Sequence, residues 1–247
     1  MIRYRLFGLA LATVLTVSSA FAGTRASNTQ IQAELQDKIY HTRVFDRGQV
    51  AVTFENGTAT LTGTVDNLAS KMDAERAAKK VDGVTRVVNN IQVHADDVTA
   101  RQILEKARKE VVTYYAYGIF DNVQLSAVND KLTVSGQVTQ PYKKTDPGNI
   151  LARIRGVATL ENDLEVLPVS TFDNNLRWAV ARAIYGSSAL SLYGNRAVPP
   201  IHIIVKNGNV TLEGAVGSKL DRQLAEFAAR HAGLSFSVVN NLRVDRA

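Results

Sequence analysis

The sequence predicts an α+β protein made of three tandem α-β-β-α-β units, each with a three-stranded mixed sheet and two helices on one face. A pattern of two alternating apolar strands around a turn occurs three times in the 247 residues. The second strand of each copy carries a glycine (Gly63, Gly136 and Gly214), so the copies follow one another by 73 and 78 residues. An asparagine lies 26 residues after each glycine, at Asn89, Asn162 and Asn240. Spacing this regular indicates an internal repeat.

The N-terminus predicts a secretory signal peptide over residues 1–22. Arg3 and Arg5 precede an apolar run of twelve residues, and Ala20-Phe21-Ala22 has the small-x-small form of a cleavage site. A membrane-spanning helix needs about 20 apolar residues, so the run is short for an anchor. An uncleaved anchor or a buried helix is the alternative. We expect an exported, soluble chain divided into unit 1 (27–95), unit 2 (96–168) and unit 3 (169–247).

The two strands of each hairpin follow from period-two alternation of apolar residues. In unit 1, Val50, Val52 and Phe54 alternate with polar residues before Asn56-Gly57, which predicts a primed β-turn. Asn129-Asp130 and Asn207-Gly208 fill the same place in units 2 and 3. The strand glycine falls on the apolar face, where it permits a helix backbone to approach closely or a β-bulge to form.

Two helices flank each hairpin. The helix before it is marked by Ile31, Leu35 and Ile39 in unit 1, by Ile103, Ala107, Val111 and Val112 in unit 2, and by Leu176, Val180, Ala183 and Ile184 in unit 3. The helix after it is marked by Leu68, Met72, Ala78 and Val81 in unit 1 and by Leu220, Leu224, Phe227 and Ala228 in unit 3. This second helix crosses over the sheet, so the third strand runs parallel to the second. In unit 2, Pro141, Pro147 and Gly148 predict a short or kinked crossover helix.

The repeated motifs resemble the BON domain (bacterial OsmY and nodulation), as found in OsmY-like proteins. The resemblance rests on the sequence at residues 61–65 (LTGTV), on Gly83-Val84 and on residues 88–93 (VNNIQV). It is strong in units 1 and 3 and weaker in unit 2. The resemblance implies an exported envelope protein, commonly periplasmic. It also implies a non-enzymatic role in attachment to phospholipid membranes and in protection under osmotic or envelope stress.

The composition and the motifs argue against an enzyme. Cysteine is absent, the four histidines are scattered, and no phosphate-binding, dinucleotide, hydrolase or zinc-protease motif occurs. We therefore expect no catalytic residues, no cofactor and no metal site. His202 alternates with Ile201 and Ile203, which predicts an outward, solvated or cross-strand side chain. The formal charge of +6 falls to +4 once residues 1–22 are removed, which is too weak for a nucleic-acid binder.

Unit 3 is the candidate for lipid binding. It holds nine Lys/Arg and five Asp/Glu, a net charge of +4, against +1 in residues 23–95 and −1 in unit 2. At 100° per residue, the face of its first helix opposite Leu176 and Val180 carries aromatic and basic residues. We expect the candidate lipid-binding side chains to be Arg177 at the edge of this face, Trp178, Arg182 and Tyr185 on it, and Tyr193 and Arg196 in the following loop.

Several alternatives stay open for the aromatic residues. Trp178 packs against unit 2, contacts a membrane, where tryptophan settles at the headgroup level and arginine meets phosphate, or contacts a protein partner. Tyr114, Tyr115 and Tyr117 form a second cluster, which either packs within and between units or offers a surface to a partner.

The sequence thus supports two hypotheses for function. The first is a periplasmic protein that binds anionic phospholipid membranes peripherally. The second is an adaptor or scaffold that contacts envelope proteins through unit faces or open sheet edges. The sequence does not indicate the oligomeric state.

Overall fold

The computed structural model describes residues 27–42 and 44–245. The predicted signal peptide, residues 1–22, lies outside the described residues. In this part of the chain the fold is mixed α+β, with seven α-helices and three mixed sheets, one in each unit.

Unit 1 begins at a capping box, in which the Ser27 side chain accepts from the Gln30 backbone N–H and the Gln30 side chain accepts from that of Ser27. Its elements are α1 (Asn28–Tyr40), β1 (Gly48–Glu55), β2 (Thr58–Val65), α2 (Leu68–Ala78) and β3 (Arg86–Val93), with a 3₁₀ turn at Val44–Arg47 before β1.

Unit 2 follows the same order. Its elements are α3 (Ala100–Thr113), β4 (Asn122–Val128), β5 (Lys131–Val138), α4 (Tyr142–Leu151) and β6 (Thr159–Val166). The crossover helix α4 continues through Pro147, which is buried. Its ten residues compare with eleven in α2 and thirteen in the crossover helix of unit 3, so it is the shortest of the three, and Pro147 does not end it.

Unit 3 has an additional short helix and an interrupted last strand. Its elements are α5 (Thr171–Tyr185), α6 (Ser191–Gly194), β7 (Ile201–Lys206), β8 (Asn209–Val216), α7 (Lys219–His231), β9 (Ser237–Asn240) and β10 (Arg243–Val244). Strands β9 and β10 both pair with β8 in parallel, so they act as one third strand with a break at 241–242.

The second strand is central in every sheet. It pairs antiparallel with the first strand and parallel with the third. Parallel partners are 28 residues apart in each unit, as in the pairs Thr58–Arg86, Lys131–Thr159 and Asn209–Ser237. The hairpin turns contain Asn56, Asn129 and Asn207 at φ values of 47°, 54° and 52°. Gly57 and Gly208 follow with positive φ as well, which gives the primed turn geometry in units 1 and 3.

The strand glycines lie against the neighbouring strand. Neither of the two predicted reasons for a glycine here, a closely approaching helix or a β-bulge, is correct. A Cβ on Gly63 would lie 2.0 Å from the Gln49 carbonyl oxygen, and one on Gly214 would lie 1.9 Å from that of Pro200. Both glycines have φ above 100°, a conformation that other residues rarely adopt. The hairpin register runs without a bulge and the close neighbour is a strand rather than a helix. The glycine is required because the antiparallel partner backbone fills the space of its side chain.

The repeated asparagine fastens the third strand to the crossover helix. The Asn89 Nδ2 donates to the Lys71 carbonyl at 3.0 Å, and its Oδ1 accepts from the Ile91 N–H at 3.2 Å. Asn162 and Asn240 make the equivalent bonds, to the carbonyls of residues 144 and 222 and from the N–H groups of 164 and 242. The constant spacing in the sequence thus reflects a repeated hydrogen-bond bridge.

In units 1 and 3, alanines form the fully buried face of the crossover helix, whereas α4 of unit 2 buries Pro147 and Leu151. Ala74 and Ala78 are fully buried in α2, as are Ala225 and Ala229 in α7. Several of the larger apolar residues that mark these helices in the sequence are exposed instead: Met72, Leu220 and Phe227. Alanine is favoured under the helix because it lets the helix axis approach the sheet closely.

Units 1 and 2 meet through the start of α2. The N–H groups of Leu68 and Ala69 donate to the carbonyls of Val157 and Ala152 at 2.9 and 2.8 Å. Ion pairs surround these bonds, including Arg153 with Asp73 and Arg155 with Asp66 and Asp97. Unit 2 therefore satisfies backbone donors at the N-terminus of a unit 1 helix.

Candidate functional site

The junction between units 2 and 3 is built on the segment that joins α3 to β4. Asp121 ends this segment and is almost fully buried. Its carboxylate accepts from the backbone N–H and the hydroxyl of Thr139, from the Gly118 N–H, and from Lys143 Nζ at 2.7 Å. These bonds fix the shape of residues 117–121, which lie against unit 3.

The segment covers the edge of the unit 3 sheet. The Ile203 N–H of edge strand β7 donates to the Ile119 carbonyl at 2.7 Å. Five of the six residues of β7 are buried, on both faces of the strand. Lys206 at the end of β7 pairs with Glu165 of unit 2. Unit 2 thus occupies an edge that the isolated unit 3 would leave open.

His202 lies inside this junction, so the prediction of a solvated side chain is wrong. Its ring lies 5.4 Å from that of Tyr117 between centroids, and its Nε2 is 3.4 Å from the Tyr117 hydroxyl. Burial lowers the pKa of His202 from its usual value. Burial also raises the pKa of Tyr117 to about 12. The His202 side chain does lie on the face of β7 opposite the helices, as predicted. Residues of unit 2 cover that face.

Two of the predicted lipid-binding side chains are held within unit 3. Arg177 is only 5% exposed, and its Nη2 donates to the Val205 carbonyl at 2.8 Å. Tyr185 is half-buried, and its hydroxyl donates to the Ile201 carbonyl at 2.5 Å. The buried face of α5 is wider than the sequence indicated, because it also meets β7 and the loop around α6. Arg177 and Tyr185 therefore both hold carbonyl groups of the edge strand, and neither lies fully exposed on the surface of α5.

The other predicted side chains of this group lie at the surface. Trp178 is 50% exposed, and one side of it packs edge-to-face on Phe120 of unit 2, with 4.9 Å between ring centroids. Arg182 and Arg196 are exposed. Tyr193 is half-buried, and its hydroxyl donates to Asp221 at 2.8 Å. One side of Trp178 thus packs against unit 2, as the first alternative predicts, and the other side faces solvent.

The cluster of three tyrosines is divided among three environments. Tyr114 is buried, and its hydroxyl donates to Asp146 at 2.9 Å. Tyr117 lies in the junction described above. Tyr115 is 84% exposed. Two of the three therefore serve packing, and Tyr115 is the one that faces solvent.

A surface that the sequence analysis missed lies on α7. Phe227 and Leu220 are 62% and 61% exposed and lie on the side of the helix opposite Ala225 and Ala229. The Phe227 ring lies against that of His231, with 4.1 Å between centroids and a tilt of 34° between the ring planes. Beyond the helix, Leu234 and Phe236 are also exposed. A helical wheel centred on the two alanines, rather than on the larger residues, would have shown this face.

The part of the chain that the structure describes holds no cluster of residues suited to a metal ion. Among the same residues, no helix combines the length and the apolar character that crossing a membrane requires.

Comparison with known families identifies the class of protein. The BON domain model matches residues 27–95 and 187–246, which together make up more than half of the chain. The protein therefore belongs to the BON domain family. A comparison with curated proteins finds no match.

Two solved structures are similar in part. One is the C-terminal domain of CdsD, a structural protein of the type III secretion system of Chlamydia trachomatis. It is 16% identical, covers 86% of this chain and 98% of its own, and has a TM-score of 0.25. The other is the periplasmic domain of PrgH, a type III secretion inner-membrane protein of S. typhimurium, at 12% identity, 83% and 99% coverage and a TM-score of 0.21.

Proposed function

We propose that this protein is a non-enzymatic, periplasmic protein of three tandem BON-like units that binds anionic phospholipid membranes peripherally, with unit 3 leading. Such binding would support envelope integrity or protection under osmotic stress. Membership of the BON family points to an extracytoplasmic, envelope-related role, and BON domains are generally non-enzymatic.

The observation that carries the proposal is the surface of α5. Trp178 stays half exposed despite its contact with Phe120, and Arg182 is exposed on the same helix. A half-exposed tryptophan beside an arginine suits the headgroup level of a bilayer. The net charge of +4 in unit 3 attracts the same surface.

The expected affinity is modest and sensitive to salt. Each exposed Lys or Arg near an anionic surface contributes on the order of 1 kcal/mol. Arg182 and Arg196 are the exposed arginines of the predicted group, since Arg177 is buried. Salt screens such attraction, with a Debye length of about 8 Å at physiological ionic strength.

Co-sedimentation with vesicles tests the proposal. The chain is mixed with phosphatidylglycerol-rich or phosphatidylcholine vesicles at low and high salt. Binding to the anionic vesicles alone, weakened by salt and by Arg182→Ser with Arg196→Ser, supports the proposal. Tyr115→Ser removes an exposed aromatic residue of unit 2 and is the matched control. A wild-type chain that stays in the supernatant with anionic vesicles at low salt overturns it.

A second candidate function is a protein adaptor, and the edge of unit 1 favours it. Gln32 Nε2 of α1 donates to the Val52 carbonyl at 2.6 Å, so the backbone of Val52 points away from β2. The Gln32 side chain already occupies that carbonyl, and an added strand would displace it. Val52 pairs with Leu61 as Ile203 pairs with Leu212, so β1 matches the strand that unit 2 covers in unit 3. Beside β1 lies a groove of about 590 Å³ whose lining includes Tyr40 and Phe45.

This edge would take an extended peptide by strand addition. The chain's own segment at 114–121 supplies a probe, since it already fits the equivalent edge of unit 3. Binding of that synthetic peptide, lost in Phe45→Ser but kept in Tyr115→Ser, supports an adaptor. Equal binding to both variants, or none to the wild type, counts against it.

A further inference from the structure

The outward face of α7 requires an explanation that the fold does not supply. Phe227 and Leu220 lie two turns apart on one stripe, and both are more than 60% exposed. Large apolar side chains grouped on one exposed face mark an interaction surface more often than isolated ones do. The alanines on the opposite side already complete the contact with the sheet.

The charges of α7 are sorted between its two faces. Its acidic residues, Asp221 and Glu226, are both engaged by the rest of unit 3 or by the helix itself. Asp221 accepts from the Tyr193 hydroxyl, and Glu226 accepts from Asn240 and Arg230 at 3.2 and 2.7 Å. The exposed stripe is flanked by Lys219, Arg230 and His231, all exposed, and no acidic residue of α7 lies on it. The Arg230 guanidinium is already paired with Glu226, so Lys219 is the flanking cation that remains for an anionic surface.

This sorting complements an anionic lipid surface. A helix with an apolar stripe and basic flanks lies in the plane of the interface, with the stripe buried roughly 5–10 Å. The stripe from Leu220 to Phe227 spans about 10 Å at 1.5 Å per residue. Leu234 and Phe236 follow the C-terminal end of the helix in the chain and are 83% and 79% exposed, and the Phe236 ring stacks on Phe172 of α5.

We propose that α7 is an interfacial membrane-binding helix, and that Leu220 and Phe227 insert into anionic bilayers with Lys219 at the headgroups. This inference rests on the proposed function and names a site on a different helix from Trp178. Unit 3 then meets the bilayer through its crossover helix, and α5 lies at the margin of the contact.

A movable tryptophan tests which helix inserts, because the chain contains one tryptophan. Trp178→Phe removes it, and Phe227→Trp or Tyr115→Trp then places a reporter on α7 or on unit 2. With phosphatidylglycerol-rich vesicles, we expect the emission at position 227 to shift to the blue and to be quenched by brominated lipid. The reporter at position 115 is the matched control and should show neither change.

The partitioning of serine variants between solution and vesicles gives an independent measure of how much each apolar side chain contributes to membrane binding. Burying a phenylalanine side chain is worth roughly tenfold or more in partitioning, so Phe227→Ser with Leu220→Ser should weaken vesicle binding by at least that factor. Leu192→Ser, at an exposed leucine of α6, is the control and should bind as the wild type does. Circular dichroism of each variant establishes that the fold is intact.

The outcomes separate the inference from the proposed function. If the wild type sediments with anionic vesicles while position 227 stays unshifted and the serine variants bind normally, the inference is overturned and the proposed function stands. If the wild type does not sediment, both are overturned. A dimer in sedimentation velocity that Phe227→Ser abolishes, without vesicle binding, assigns the stripe to a second copy of the chain and also overturns the inference.

Discussion

Units 1 and 3 share a framework and differ at the surface of the crossover helix. In both, a glutamate accepts from the repeated asparagine and from a basic residue four positions later. These residues are Glu75, Asn89 and Lys79 in unit 1 and Glu226, Asn240 and Arg230 in unit 3. One residue after the glutamate, unit 1 has Arg76, which pairs with Asp73, whereas unit 3 has Phe227.

The difference shows which positions the fold controls. The glycine, the alanines and the asparagine are set by close backbone approach or by hydrogen bonds to main-chain groups. The position of Arg76 and Phe227 touches no part of the sheet, so the fold accepts either residue. Specific function in this family member is therefore expected at positions where the units differ while the framework is kept.

The largest expected effect is on the shared framework. Gly214→Ala would place a Cβ 1.9 Å from the Pro200 carbonyl oxygen at a φ of 109°. We expect a loss of about 3 kcal/mol in the free energy of unfolding, and a similar loss for Gly63→Ala. Urea unfolding followed by circular dichroism measures both. Gly217→Ala, which has no contact closer than 3.4 Å, should be nearly neutral. Clearly different losses in the free energy of unfolding for Gly214→Ala and Gly63→Ala would show that units 1 and 3 do not share this part of the framework.

The asparagine bridge should have a smaller effect. Asn240→Ala removes a donor to the Arg222 carbonyl and to Glu226, and an acceptor for the Leu242 N–H. We expect a loss of roughly 1–3 kcal/mol, and the same for Asn89→Ala. Asn162 lacks the glutamate partner because Gly148 stands in its place, so Asn162→Ala should cost less. Equal losses in all three units would show that the glutamate bond adds nothing.

Acid should weaken unit 3 more than unit 1. The folded pKa of His202 lies below its usual value near 6.5 because of burial, while hydrogen bonds with the backbone of Gly118 and Asp121 and the charges of Asp121 and Glu213 only partly oppose the shift. The unfolded chain therefore binds the proton more readily, and stability falls as pH drops through about 6.5. Urea midpoints between pH 8 and pH 5 in wild type and His202→Gln measure this. An unchanged pH dependence in His202→Gln would assign the loss to other groups.

The smallest effect on stability is expected at the position that distinguishes the units. Phe227→Ser and Arg76→Ser should each change the free energy of unfolding by less than about 0.5 kcal/mol, because both side chains are exposed. Only Phe227→Ser should alter vesicle binding. A marked loss of stability in Phe227→Ser would show that the phenylalanine belongs to the core of unit 3.

The sequence predicted the local structure well because local rules determine it. The hairpin turns at Asn56 and Asn207, the parallel third strand and the repeat spacing all follow from short-range patterns. The choice of which side of α7 faces the sheet does not follow from such patterns. Alanine and phenylalanine are both apolar, so hydrophobicity alone cannot show which of them faces the sheet. Arg177 and His202 were misplaced because their burial depends on β7 and on residues 117–121 of another unit. No pattern around either residue carries that information.

The bond between Ile119 and Ile203 also sets an order in time. A ribosome makes residues 117–121 before it makes β7, so the covering segment exists before the strand that it covers. Until unit 3 emerges, Tyr117, Ile119 and Phe120 lack their contacts with it, and a chain interrupted in between would expose them. Unit 3, in contrast, meets a finished neighbour as soon as β7 is made. The first unit meets its neighbour later, because the Val157 and Ala152 carbonyls that accept from Leu68 and Ala69 are made after unit 1. Both outer units therefore complete their contacts only through the middle one.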